Sequence, residues 1–248
     1  MTAIRITIAR TAGSVPRERG TQMLVRNESI EGTIGGGVLE WEAMRIARQM
    51  LTNGTERGSR TFPLGPALGQ CCGGSVTLEF ERADALTRPE GRPLWIYGAG
   101  HVGRAIAQVA APLPEFDITL IDTSVDRFPG DLPESVAPLI AAEPARAVAH
   151  APDTAEHLIM TYSHEMDLAL CHAILSRPFS AAGLIGSSTK WARFRSRLAA
   201  LGHPPERIAR IACPIGDPAL GKHPQAIAIG VVAALLSRLD AEAERGTG

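Results

Sequence analysis

The sequence predicts an α/β protein in two parts: a small mixed α/β amino-terminal domain and a carboxy-terminal Rossmann-like domain on a doubly wound parallel sheet. Three observations predict it. The second half alternates short apolar runs with amphipathic segments, as strands buried on both faces do when crossover helices cover them. Gly98, Gly100 and Gly103 spell G-x-G-x-x-G between an apolar run and a helical one. The first half instead shows period-2 patterning around a single long amphipathic stretch. A chain of 248 residues is long enough for two cores. The expected domains are 1–85 and 92–248. The polar stretch "RADALTRPEGR" (82–92), with its Pro and Gly, reads as the linker.

In the first domain, "AIRITIAR" (3–10) alternates β-branched residues and reads as a strand. "GSVPRERG" (13–20) is a turn-rich loop. "TQMLVR" (21–26) and "SIEGTI" (29–34) read as a hairpin with "NE" at its tip. In "GGGVLEWEAMRIARQML" (35–51), Leu39, Ala43, Ile46, Ala47 and Met50 recur at helical spacing, and "NG" at 53–54 is a stop signal. "RTFPL" and "SVTLEFE" (75–81) are strand candidates on either side of "LGPALGQCCGGS".

In the second domain, "PLWIYGAG" (93–100) is an apolar strand running into glycines, "HVGRAIAQVAA" a helix, and "FDITLID" (116–122) a second strand. "APLIAA", "HLIMTYS" (157–163) and "AAGLIGS" (181–187) are three further short apolar runs. Helices are expected at 166–177, 189–202 and 224–244.

Composition excludes some classes. Hydrophobic content of 45% with 21% charged residues is that of a globular domain. The net charge of −1 gives no basic face for nucleic acid. No run has the length of a membrane span and no leader pattern opens the chain, so a cytoplasmic protein with reduced thiols is expected. The four cysteines, Cys71, Cys72, Cys171 and Cys213, form no C-x-x-C pair, which argues against structural zinc.

The glycine triplet has three jobs in such a turn. Gly98 permits the tight turn, Gly100 lets backbone approach a phosphate, and Gly103 lets helix pack on strand. Asp122, about 20 residues on, stands where a carboxylate meets a ribose hydroxyl. An acid there favours NAD or another unphosphorylated ribose over NADP, and Arg127 weakens that preference. The alternative is a Rossmann turn that has kept its shape without a ligand.

Three loops of the first domain share a chemistry. Arg17 and Arg19 are bidentate anion partners, Gly35–Gly37 open a helix N-terminus, and the adjacent thiols Cys71 and Cys72 are flanked by Gly69, Gly73 and Gly74. A thiol in positive potential becomes a nucleophile or soft metal ligand. Together they suit a ligand with an anionic group and a soft or electrophilic centre. Steric glycines and solvated arginines are the plainer readings. Cys171 and Cys213 read as small buried hydrophobes.

The motifs "GSVPRERGTQMLV", "GTIGGGVLEWEA", "LGPALGQCCGG", "IYGAGHVGRAIA", "MTYSHEMDLAL", "GLIGSSTKWARFRSRL" and "CPIGDPALGKHPQAIAIGVVAAL" together resemble the XdhC/CoxI family, accessory proteins of xanthine dehydrogenase and related molybdenum hydroxylases. The likeness spans nearly the whole chain, in order. It implies that the protein binds molybdenum cofactor (a pterin dithiolene with a phosphate), supports its sulfuration with sulfur from a cysteine desulfurase, and passes it to the molybdenum subunit of apo-xanthine dehydrogenase. It implies a chaperone without net turnover; separately, a homodimer is the default assembly of a soluble chain. A dehydrogenase with His164 as proton donor, or a nucleotide sensor, is the alternative. The phosphate is expected at Gly35–Gly37 and Arg17, and the molybdenum at Cys72, with Cys71 as the second thiol. Thr161, His164 and Asp167 match the family's T-x-x-H-x-x-D, where His164 is either a ligand-side group or a helix cap. "GSSTK" (186–190) matches G-S-x-x-K, where Lys190 is either an anion contact or an exposed lysine behind an N-cap at Ser187 or Ser188. The family carries a helix before the first strand; here Met1 stands close to "RITIA", so either the start is misplaced or that helix is absent.

Overall fold

The structure is a computed structural model, and it describes residues 3–64, 73–87 and 91–246, with side chains to residue 238. Cys71 and Cys72 lie outside the described residues. The chain divides into two compact units, 1–88 and 89–248.

The first unit is a five-stranded antiparallel sheet with one long helix. The strands are β1 (Ala3–Ala12), β2 (Gln22–Val25), β3 (Ile30–Gly32), β4 (Arg57–Pro63) and β5 (Ser75–Ala83), in the order β3-β2-β1-β5-β4. Ile4, Ile6 and Ile8 of β1 point to one face, as period-2 alternation requires, and meet Leu39, Ala43, Ala47 and Met50 of α1 (Gly37–Asn53). Gly54 ends α1 in the left-handed conformation, at the "NG" stop. On the other face Arg5 pairs with Glu81 across the β1–β5 ladder.

The second unit is a six-stranded, wholly parallel sheet. Its strands are β6 (Arg92–Tyr97), β7 (Phe116–Asp122), β8 (Val136–Ile140), β9 (Glu156–Ile159), β10 (Ala181–Leu184) and β11 (Ile211–Ala212), in the order β11-β10-β9-β6-β7-β8. The helices are α2 (His101–Ala110), α3 (Pro144–Ala147), α4 (His164–Leu175), α5 (Ser188–Ala200), α6 (Pro205–Ile208) and α7 (Pro224–Gly246). Alternate residues of β6 feed two cores. Leu94 and Ile96 join α2 and α7, whereas Trp95 and Tyr97 join α3, α4, α5 and α6. The expected doubly wound architecture is what forms.

The differences from the sequence reading are at the ends of strands. β9 stops at Ile159, so "MTYS" is loop and not strand. The sixth strand, β11, has only two residues and went unseen, because two residues carry no periodicity. Strand order reverses between β6 and β9, both neighbours of the first strand of the unit being reached by crossovers in opposite directions. That reversal opens a crevice beyond the carboxyl ends of the strands.

Candidate functional site

In the amino-terminal unit, the described parts of the three motif-bearing loops converge. A Cβ on Gly35 would lie 3.0 Å from Pro16 Cγ and 3.4 Å from Arg17 Cγ, so the "SVPRERG" loop packs directly on the glycine turn. Ser14 bridges Gly73, and a Cβ on Gly13 would lie 3.0 Å from Gly74 Cα. The residues that follow Cys72 in the chain therefore back onto the same loop. Gly35, Gly36 and Gly37 all have φ between 65° and 122°, a run that side chains disfavour. Arg17 and Arg19 are exposed.

Sequence reasoning missed Glu40. Its Oε2 accepts from the Ile34 N–H at 3.0 Å, the Gly36 N–H at 3.1 Å and the Thr33 hydroxyl. Burial opposes the charge, but these bonds and the nearby Arg17 outweigh it and hold the carboxyl below its ordinary value. Two N–H groups of the glycine turn thus already carry an anion, one belonging to the chain. The first turn of α1 has no side-chain cap beyond that, so its own N–H groups stay available beside Arg17. The signal was present: an acid four residues after a glycine cap, in the first turn of a helix.

In the carboxy-terminal unit, the glycine triplet behaves as its spacing requires. A Cβ on Gly103 would run into Gly98 O, and one on Gly98 into Met160 O. Beside Gly100, which caps α2, there is open space. Asp122 is 4% exposed, and its acceptors face inward. Oδ2 accepts from the Ala99 N–H at 2.7 Å, while Oδ1 accepts from the Thr123 N–H at 2.7 Å and from Arg127 Nε at 2.9 Å.

The T-x-x-H-x-x-D and G-S-x-x-K motifs meet. The Thr161 N–H and hydroxyl both donate to Asp167 Oδ1, and Lys190 Nζ donates to Asp167 Oδ2 at 2.6 Å and to Ile185 O at 2.9 Å. Asp167 is wholly buried and the Lys190 side chain is only 11% exposed. The N-cap at Ser187 is real, but the lysine behind it is a part-buried ion-pair partner and not a solvated one. His164 does not cap its helix. Ser163 does, and His164 is exposed at the first helical position, edge-on to Phe194. Cys171 is buried, with its thiol pushed up to about 12 by burial first and by Asp167 second. Cys213, half-buried beside Gly186 O, is also raised by burial, against a smaller pull from Lys190. Both read as inert thiols.

Among the described residues, no cluster of three or more His, Cys, Asp or Glu could hold a metal ion, and no helix is long and apolar enough to cross a membrane. An apolar cavity of about 180 Å3 lies between the starts of β9 and β10 and α7, lined by Leu158, Ala182, Ile215, Val231 and Leu235. The last two family-like motifs contribute Gly183, Ile215 and Val231 to it, whereas none of Arg17, Asp122, His164, Asp167 and Lys190 lines it.

Comparison with known proteins places this arrangement. Residues 94–235 match the profile of the XdhC Rossmann domain, and residues 2–63 that of the XdhC and CoxI family. The chain belongs to the XdhC family. Together the two matches cover both parts of this XdhC-family chain. It is 34% identical over 234 residues to YqeB of Escherichia coli K12, an uncharacterised protein, a stretch that is 92% of this chain and 42% of YqeB. It thus spans less than half the length of that relative. Its fold matches the crystal structure of a Bacillus halodurans protein named as a xanthine dehydrogenase, with a TM-score of 0.79 over 97% of this chain and 92% of the other at 18% identity.

Proposed function

We propose that this XdhC-family chain is a maturation factor for an enzyme of the xanthine dehydrogenase type. It binds molybdenum cofactor as cargo, supports its sulfuration, and hands it to the molybdenum subunit. The observation that carries the reading is the meeting of the 13–17 loop, the Gly35–Gly37 turn and the Gly73–Gly74 segment in one place. These are the motifs that carry the family resemblance in this domain. The cargo has a phosphate at one end and a soft, sulfur-ligated metal at the other. Arg17 and the uncapped first turn of α1 suit the phosphate. The thiol of Cys72, or of Cys71, suits the metal and the incoming sulfur. A cysteine desulfurase is the sulfur donor in this reading, and the assembly is a cytoplasmic homodimer.

The test is an anaerobic titration of the whole chain with molybdenum cofactor, beside Arg17→Ala, Cys71→Ser and Cys72→Ser. Near-stoichiometric binding is expected, weakened about tenfold by Arg17→Ala, the worth of one charge-assisted hydrogen bond. One cysteine substitution is expected to abolish transfer of sulfurated cofactor to the apo-enzyme. No binding by the folded wild type would overturn the reading. Binding and delivery unchanged in both serine variants would overturn the thiol assignment alone.

A further inference from the structure

A nucleotide bound in a Rossmann domain lies beyond the carboxyl end of the first strand, here β6, with its ribose hydroxyls on the acid that ends the next strand. In this chain that space is crossed by side chains. Tyr162 follows β9 and Arg127 follows β7, and these strands flank β6 on opposite sides. They meet all the same. The Arg127 guanidinium lies 4.0 Å from the centre of the Tyr162 ring, and the Tyr162 hydroxyl is 3.5 Å from Thr123 Oγ1. Groups rooted on either side of β6 can touch only over its end, above the Gly98–Gly100 turn.

The arch is anchored. Arg127 Nε donates to Asp122 Oδ1 at 2.9 Å. Arg104 of α2 donates from Nε to Ala99 O at 2.7 Å and from Nη2 to Arg127 O, tying the arch to the glycine turn. The Asp122 side chain is left 5% exposed. A ribose diol needs the oxygens of that carboxylate facing the crevice, and here one faces the Ala99 N–H and the other faces Thr123 and Arg127.

We infer that Arg127, roofed by Tyr162, occupies the ribose position of this crevice and is the residue that keeps a dinucleotide out of it. Asp122 then works as a latch between β7 and the glycine turn. The inference concerns the Rossmann unit and stands apart from the cofactor reading of the amino-terminal unit.

The probe is NAD, titrated calorimetrically into the full chain, with AMP as the half-ligand. Arg127→Ala removes the competing cation and uncovers Asp122. It is expected to bind NAD at least about tenfold more tightly than wild type, the factor that one charge-assisted hydrogen bond to the freed carboxylate supplies. Tyr162→Ala removes only the roof and is expected to gain less. Wild type binding NAD as tightly as Arg127→Ala, or no gain in either variant, would overturn the inference. Thermal melts establish that both variants are folded. Tyr162 is 64% exposed, so its substitution carries the test should Arg127→Ala fail to fold: a gain supports the assignment and none overturns it.

Discussion

Each unit of this protein sets a glycine-rich turn ahead of a helix, and each fills that turn with a carboxylate of its own. The two carboxylates are attached very differently. Glu40 is four residues from Gly36, on the helix that the turn opens, and it is only partly buried. Asp122 comes from the next strand, 23 residues from the Ala99 N–H that it holds, and is pinned by Arg127. A local contact through a flexible side chain opens and recloses without disturbing the fold. A long-range, buried one is part of what registers β7 against β6, and opening it costs tertiary structure. The difference teaches that similar glycine turns can hold a carboxylate in different ways: the first through a local, partly exposed side chain, the second through a buried, long-range one.

The sharpest way to break the comparison is at the glycines. Gly103→Ala drives a methyl into Gly98 O, which is backbone and cannot yield, so a loss of about 3 kcal/mol is expected in urea unfolding. Gly100→Ala, in open space, is expected to change stability by less than about 0.5 kcal/mol. Equal effects would mean that the third glycine is not a packing requirement here.

The carboxylates come next. Asp122→Ala strands the buried Ala99 N–H and uncouples Arg127, for an expected loss of about 2–3 kcal/mol. Glu40→Gln keeps an acceptor at the glycine turn and sits in a half-solvated place. It is expected to cost less than about 1 kcal/mol and, on the proposed function, to tighten the binding of molybdenum cofactor by removing the resident charge. A larger loss for Glu40→Gln than for Asp122→Ala would reverse the assignment of exchangeable and fixed turns.

The smallest effect is in pH. The Glu40 carboxyl titrates below its ordinary value of 4.5 in the folded chain. Its contribution is therefore full above pH 4.5 and fades as pH falls through the lower folded value. The stability difference between wild type and Glu40→Gln, measured by urea unfolding at stepped pH, is expected to be constant near neutrality and to shrink in acid. A difference that grows in acid would give Glu40 the wrong sign.

Much of this was readable beforehand. The strand at 116–122, the helix after the glycine triplet and the stop at Gly54 follow from periodicity and turn chemistry, which act over a few residues. The short strand β11 was not readable, since its pairing with β10 and not its own pattern makes it a strand. Among the candidate site residues, the sequence set Lys190 in the first turn of its helix but put His164 ahead of a helix expected from 166, two residues after the helix begins, and left the neighbours of both open. Only the fold buries Lys190 against Asp167 and gives the helix cap to Ser163.

The sequence by itself determined the two-part α/β architecture, the family, and the three motif-bearing loops, because binary pattern, glycine spacing and motif order are local properties of the chain. The tertiary structure alone decided which charges are spent. Asp122 reads as a lone strand-end acid until the Ala99 N–H and Arg127 close on its two oxygens, and Glu40 reads as an ordinary helical acid until the glycine turn folds back over it. Whether a carboxylate faces ligand or backbone depends on partners brought together through space, which no local pattern in the chain records.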